Sequence, residues 1–188
     1  MAPVTDGEHH GAISVRPMQV EDLDELSDID AAHAARLGVR AVLSRASVHF
    51  YQRSGHSFVA ESGPTAHGGS PRAVGFALAH PSWSGADAVV RLESMAVSPK
   101  AAAESARVAS SLTEAVVKSA YDAGVYRLVA TVAAADDVAR EALEAAMFAE
   151  EPNASYRRLL GSGGLSGGGG GEHSASTGDG RGGEHDRS

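Results

Sequence analysis

The stretch Asp87–Lys100, DAVVRLESMAVSPK, decides the fold. Its residues alternate, with Arg91, Glu93, Met95 and Val97 expected on one face and Val90, Leu92 and Ala96 on the other, which predicts a strand. Pro99 ends it. The longest expected helix follows from Ala101 to Ala123, with Val108, Leu112, Val116 and Ala120 as its apolar stripe and Gly124 as its stop. Val125 to Val132 is dense in β-branched and aromatic residues and predicts another strand. A strand, a long helix and a strand in succession imply a parallel crossover.

Upstream, Ile13 to Arg16 predicts a short strand ended by Pro17. Leu23, Leu26, Ile29, His33 and Leu37 recur at three- and four-residue steps and predict a helix closed by Gly38. A second helix is expected with Val39, Val42, Leu43, Ala46 and Phe50 inward and Gly55 as its stop. Strands follow at His56–Glu61 and Val74–His80, separated by a Gly-, Pro- and Ser-rich loop from Ser62 to Pro71. Downstream, Asp136 or Asp137 is expected to cap a last helix through Phe148, and Ser155 to Leu160 to form a final strand. The result is one α/β domain (α+β in some schemes) over residues 12–161. It has a mixed, twisted central sheet of about six or seven strands with helices on both faces.

Outside that domain, residues 1–11 read as a flexible N-terminus. Residues 162–188 read as a disordered tail, because glycine, serine and charge cannot bury enough surface to offset ordering entropy. The run Gly167–Gly171 lacks the Lys-Ser/Thr ending of a phosphate loop. A net charge of −8 without a basic stripe argues against nucleic acid as a partner. Met1–Gly11 lacks the pattern of a secretory signal, and no apolar run is long enough for a bilayer, so a cytoplasmic protein away from membranes is expected. The chain has no cysteine, which removes disulfides, thiolate nucleophiles and cysteine-bound zinc. Its histidines show no metal-site spacing, so no metal is expected.

Three phrases, Arg16-Pro17 with Asp22-Leu23, Val74-Gly75-Phe76-Ala77, and Glu93 to Pro99, resemble the GNAT superfamily of N-acetyltransferases. Two longer phrases, Phe50 to Phe58 and Val116 to Tyr126, resemble a small bacterial GNAT-like family of unknown function. The resemblance covers about Ile13 to Leu160. It implies acetyl-CoA as co-substrate and acetyl transfer to an amine, on a small molecule or a protein. A homodimer is left open.

In GNAT enzymes the pyrophosphate sits on a glycine-containing loop after the fourth strand, where backbone N–H groups and the helix dipole favour an anion. Here that stretch is Lys100-Ala101-Ala102-Ala103-Glu104-Ser105-Ala106-Arg107, without glycine. Lys100 and Arg107 are then the expected phosphate-binding cations. The resemblance assigns pantetheine to the backbone of Met95, Ala96 and Val97. It makes Glu93 the general base, with His80 as the alternative, while Arg91 offers Glu93 a surface partner. In the last helix, Asp136 stands in the family's asparagine place, Leu143 in the place of the acid tyrosine and Met147 in a glycine place. A non-catalytic descendant serving as a ligand-binding or protein-interaction module is the alternative.

Overall fold

The strands pair in the order in which the chain makes them. A computed structural model describes residues 12–63, 70–85 and 87–151, and the elements below lie in a unit that ends at Glu150. Strands β1 (Ile13–Pro17), β2 (Phe58–Ser62), β3 (Arg72–Ser84) and β4 (Asp87–Val97) form an antiparallel meander, and β5 (Leu128–Ala130) joins β4 in parallel. Helices α1 (Leu23–Leu37) and α2 (Arg45–Ser54) cover one face. Helices α3 (Ser105–Asp122) and α4 (Asp137–Ala145) cover the other. The mixed sheet between two helical layers is as expected, but it has five strands among the described residues, not six or seven. The sixth expected strand, Ser155–Leu160, lies outside the described residues, as do residues 1–11, the tail 162–188 and positions 64–69 of the Gly-rich loop.

Two cores follow from this layering. Phe76 and Leu78 point to α1 and α2, meeting Leu26, Ile29, Val48 and Ala96. Ala77 and Ala79 point the other way, to Val108, Leu112 and Val116 of α3 and Ala139 and Leu143 of α4. A side chain at Gly75 would sit 2.8 Å from the Ala96 carbonyl and 2.8 Å from Val108, so the glycine lets α3 lie directly on the sheet. At the start of the domain, Arg16 makes bonds of 2.7 and 2.8 Å to both oxygens of Asp22 and one of 2.8 Å to Glu61. That fork fixes the exit of β1 and the turn into α1, and it explains the Arg16…Asp22 phrase.

The second helix starts later than its apolar spacing suggested. Asp30, buried on α1, accepts the backbone N–H groups of Val42 and Leu43 at 2.7 Å each, which holds residues 39–44 as a loop. Ser44 then caps α2 reciprocally with Ser47. Val39, Val42 and Phe50 are consequently exposed, and Val48 is the residue that α2 buries.

The alternation expected along β4 also breaks. Leu78 pairs with Ser94 and Ala79 with Leu92, so Glu93 has no partner on β3 and forms a bulge. The extra residue shifts the phase: Val90 and Leu92 share the α3 face with Met95 and Val97, while Ala96 turns to the α1 face. Ser57, buried before β2, pins the bulge from behind. Its hydroxyl accepts from the Ala79 N–H and donates to the Ala79 carbonyl, both at 2.9 Å. Beyond the bulge β4 leaves β5, which pairs only Val90, Arg91 and Leu92; the last backbone bond is Thr131 N–H to the Leu92 carbonyl at 2.9 Å. The fifth strand is therefore three residues long instead of spanning Val125–Val132.

Candidate active site

The bulge places Glu93 on the sheet surface with its side chain about one-third exposed. Glu93 Oε1 lies 3.4 Å from His80 Nε2. His80 Nδ1 is 3.1 Å from the Pro81 carbonyl, so this nitrogen carries a hydrogen and Nε2 is turned to the carboxylate. Arg91 does not pair with Glu93; its Nε donates to Ser82 at 3.0 Å. Tyr51 and Phe50 from α2 close around the pair, with ring centroids 6.1 and 5.3 Å from His80. Burial, and then the charge of Glu93, push the Tyr51 phenol above its ordinary value, so it stays protonated at neutral pH. Tyr51 was not anticipated from sequence. Its only signal was its place next to Phe50 in a family-like phrase.

On the other side of β4 lies a cavity of about 260 Å³, walled by Met95, Val97, the Ser98–Pro99 turn, the start of α3, Val138–Ala139 of α4 and Arg36. Among the described residues Glu93 to Val97 have no strand partner on this side, because β5 has ended. Met95 and Val97 line the cavity, whereas Ala96 points its side chain into the opposite core.

The helix entrance is built without glycine. Ser98 caps it through the Lys100 N–H, and Pro99 to Glu104 form a 3-10 stretch, with Ala101 outside helical geometry at φ −105 and ψ 27. Regular α3 starts only at Ser105, four residues after the expected Ala101. Lys100 and Arg107 are exposed and neither lines the cavity. Arg107 lies 3.6 Å from Glu104 one turn earlier, so each neutralises the other.

Asp136 takes the cap position of α4 but makes no capping bond. Instead its buried carboxylate meets two residues of α1, Arg36 Nη2 at 3.2 Å and His33 Nε2 at 3.6 Å. Burial holds His33 below its ordinary pKa, with Asp136 opposing that shift and Arg36 adding to it. Neutral His33 accepts from Arg36 at Nδ1, which leaves Nε2–H toward Asp136. Leu143, in the tyrosine's place, is buried core. α4 stops at Ala145, short of Phe148. Met147 then adopts φ +65, the left-handed conformation that suits the glycine of the family pattern.

His56 is buried and apart from this site, with Nδ1 2.9 Å from the Ser119 hydroxyl. Ser119 donates to the Val116 carbonyl, so His56 donates from Nδ1. Burial lowers the pKa of both His33 and His56 from 6.5. Below about pH 6.5 the unfolded chain therefore binds more protons than the folded one, and stability falls as pH falls. Urea midpoints should drop from pH 7.5 to 5.5, and His56→Gln should flatten the slope. An unchanged slope would remove His56 from the account.

A model of the family described as protein of unknown function, DUF1999, matches residues 13–157. The chain belongs to the DUF1999 family. TTHA1254 of Thermus thermophilus, a solved structure, is 34% identical to it over 79% of this chain and 98% of that one, with a TM-score of 0.62. A probable acetyltransferase (21% identity, 80% and 98% covered, TM-score 0.58) and the aminoglycoside N-acetyltransferase AAC(6')-Iy in complex with CoA (18%, 84% and 99%, TM-score 0.57) share its fold. No curated protein matches the sequence significantly. This DUF1999 chain therefore has the GNAT fold. Among the described residues no helix is long and apolar enough to cross a membrane, and no three His, Asp or Glu side chains gather to hold a metal ion.

Proposed function

We propose that the chain is an acyl-CoA-dependent N-acyltransferase, moving an acetyl group from acetyl-CoA to an amine. The observation that carries this is the divergence of β4 from β5 at the Glu93 bulge. It leaves a strand edge facing a cavity on one side of Glu93 and an aromatic-walled carboxylate on the other. The residues fit the thioester-bearing arm of CoA: Met95 and Val97 offer apolar contact, and their strand edge offers backbone groups to its amides. Acetyl-CoA supplies the activated carbonyl. The chain's likeness to a protein crystallised with CoA supports the same reading.

Glu93 takes a proton from the attacking ammonium or amine, freeing the nitrogen lone pair to form the new C–N bond as the C–S bond breaks. His80 Nε2, 3.4 Å away, receives that proton from Glu93 and passes it to solvent. With Leu143 in the tyrosine place, no side chain protonates the departing sulfur there. A thiolate is a much weaker base than an alkoxide or an amide ion, so it leaves without an acid at modest cost.

Thermal melting with and without millimolar acetyl-CoA tests the reading. Ligand at 100 times its dissociation constant adds about 2.7 kcal/mol of stability, which raises the midpoint by several degrees. An unshifted midpoint at saturating concentrations would sink the acyltransferase and leave the non-catalytic module.

A further inference from the structure

Helices α1 and α4 lie on opposite faces of the sheet, in separate cores. Arg36 and His33 of α1 nonetheless reach Asp136 of α4. They meet beside the strand edge that has no partner beyond β5 among the described residues, and Arg36 and Asp136 both line the cavity there with Ser98 and Ser105. We propose that Arg36 is the residue that receives the anionic, phosphate-bearing part of the acyl donor, with Asp136 and His33 as the positioning residues that hold its guanidinium over the slot. This rests on the acyl-CoA reading above.

Three observations converge on Arg36. Of the cations near the helix entrance, it lines the cavity, while Lys100 and Arg107 do not and Arg107 is engaged by Glu104. Its side chain is 48% exposed, although Asp136 beside it is only 5% exposed, so the ion pair has one buried end and one open end. Both of its contacts use Nη2, at 3.2 Å to Asp136 and 3.4 Å to His33. Nη1 and Nε have no hydrogen-bond partner among the described residues, and a phosphate accepts such a planar fork of donors. Asp136 keeps its partner when the anion binds, so no buried charge is stranded. Arginine from α1 thus takes over the task that glycine-exposed backbone performs elsewhere in the fold.

Calorimetric titration of the full chain with CoA and with pantetheine, which has the same arm and no phosphate, tests the assignment. Arg36→Gln should weaken CoA about tenfold or more, the scale of one hydrogen bond to a charged group, and leave pantetheine within about twofold of wild type. Equal losses for both ligands, or a CoA affinity within twofold of wild type, would overturn it. Wild type failing to bind CoA at all would instead sink the reading on which this one rests. Should Arg36→Gln not fold, the wild-type Arg36 Nε–H resonance, assigned by its absence in Arg36→Lys, must shift with CoA and stay still with pantetheine. A resonance unmoved by CoA overturns the proposal equally.

Discussion

Glu93→Gln should lower kcat/KM for acetyl transfer by about 10²–10³-fold while leaving the CoA-induced rise in melting temperature intact. Glutamine keeps the size of the side chain but cannot take a proton, and a positioned general base contributes about 10²–10⁴-fold. The residue sits on the bulge surface rather than in a core, so the fold should tolerate the change. Turnover is measured by release of thiol from acetyl-CoA against a panel of primary amines. The absence of cysteine from the chain means the protein adds no background to a thiol reagent. His80→Gln should cost less, because water can replace a relay but not the base. A Glu93→Gln variant as active as wild type would leave Glu93 out of the chemistry.

Gly75→Val is expected to have the largest effect on stability, a loss of about 3 kcal/mol or more, or no folding at all. A Cβ there meets the Ala96 carbonyl and Val108 at 2.8 Å each and Leu112 at 3.3 Å. Ala96 belongs to the next strand and cannot retreat without breaking the β3–β4 pairing, so α3 must lift from the sheet. Overpacking a core costs about 1–3 kcal/mol even when flexible side chains can give way. Urea denaturation reports it directly. Lifting α3 also moves Ser105 and Ala109 from the cavity wall beside β4, so CoA binding should weaken in any Gly75→Ala protein that does fold. A Gly75→Val protein as stable as wild type would show that the close approach of α3 is not what the glycine serves.

Much of this architecture was legible in the residues. The stripe Val108, Leu112, Val116 of α3 and the run of β4 are long periodic signals whose partners are fixed by burial. What escaped was decided by single side chains acting across the chain. Asp30 unwinds the segment before α2 by capping two N–H groups twelve and thirteen residues away, and no periodicity carries that information. Ser57 and the unpaired Glu93 shift the phase of β4, because alternation in a sequence assumes a ladder without an extra residue. For the site, Glu93, Met95 and Val97 were visible as family positions, and the structure brings them to one strand end. Lys100 and Arg107 follow from their place in the sequence at the helix start, but one falls in the 3-10 stretch and the other in the first turn of α3, and both are exposed outside the cavity lining. Arg36 comes from a helix one hundred residues before its partner Asp136, and only the fold brings the two together.

The stretch of β4 beyond β5, without a strand partner on that edge among the described residues, has a further consequence for self-association. A strand that shows unpaired N–H and C=O groups is a template on which another chain can add a strand, and proteins suppress this with bulges, prolines and charge. Here the run is bounded by the Glu93 bulge at one end and Pro99 at the other, and Arg36 and Asp136 line the cavity beside it. Ser94 to Ser98 is about the length of the shortest useful strand and is bent at both limits. The devices that bound the slot proposed for a narrow, amide-bearing ligand are thus of the kind that hinder strand addition by another chain at this edge.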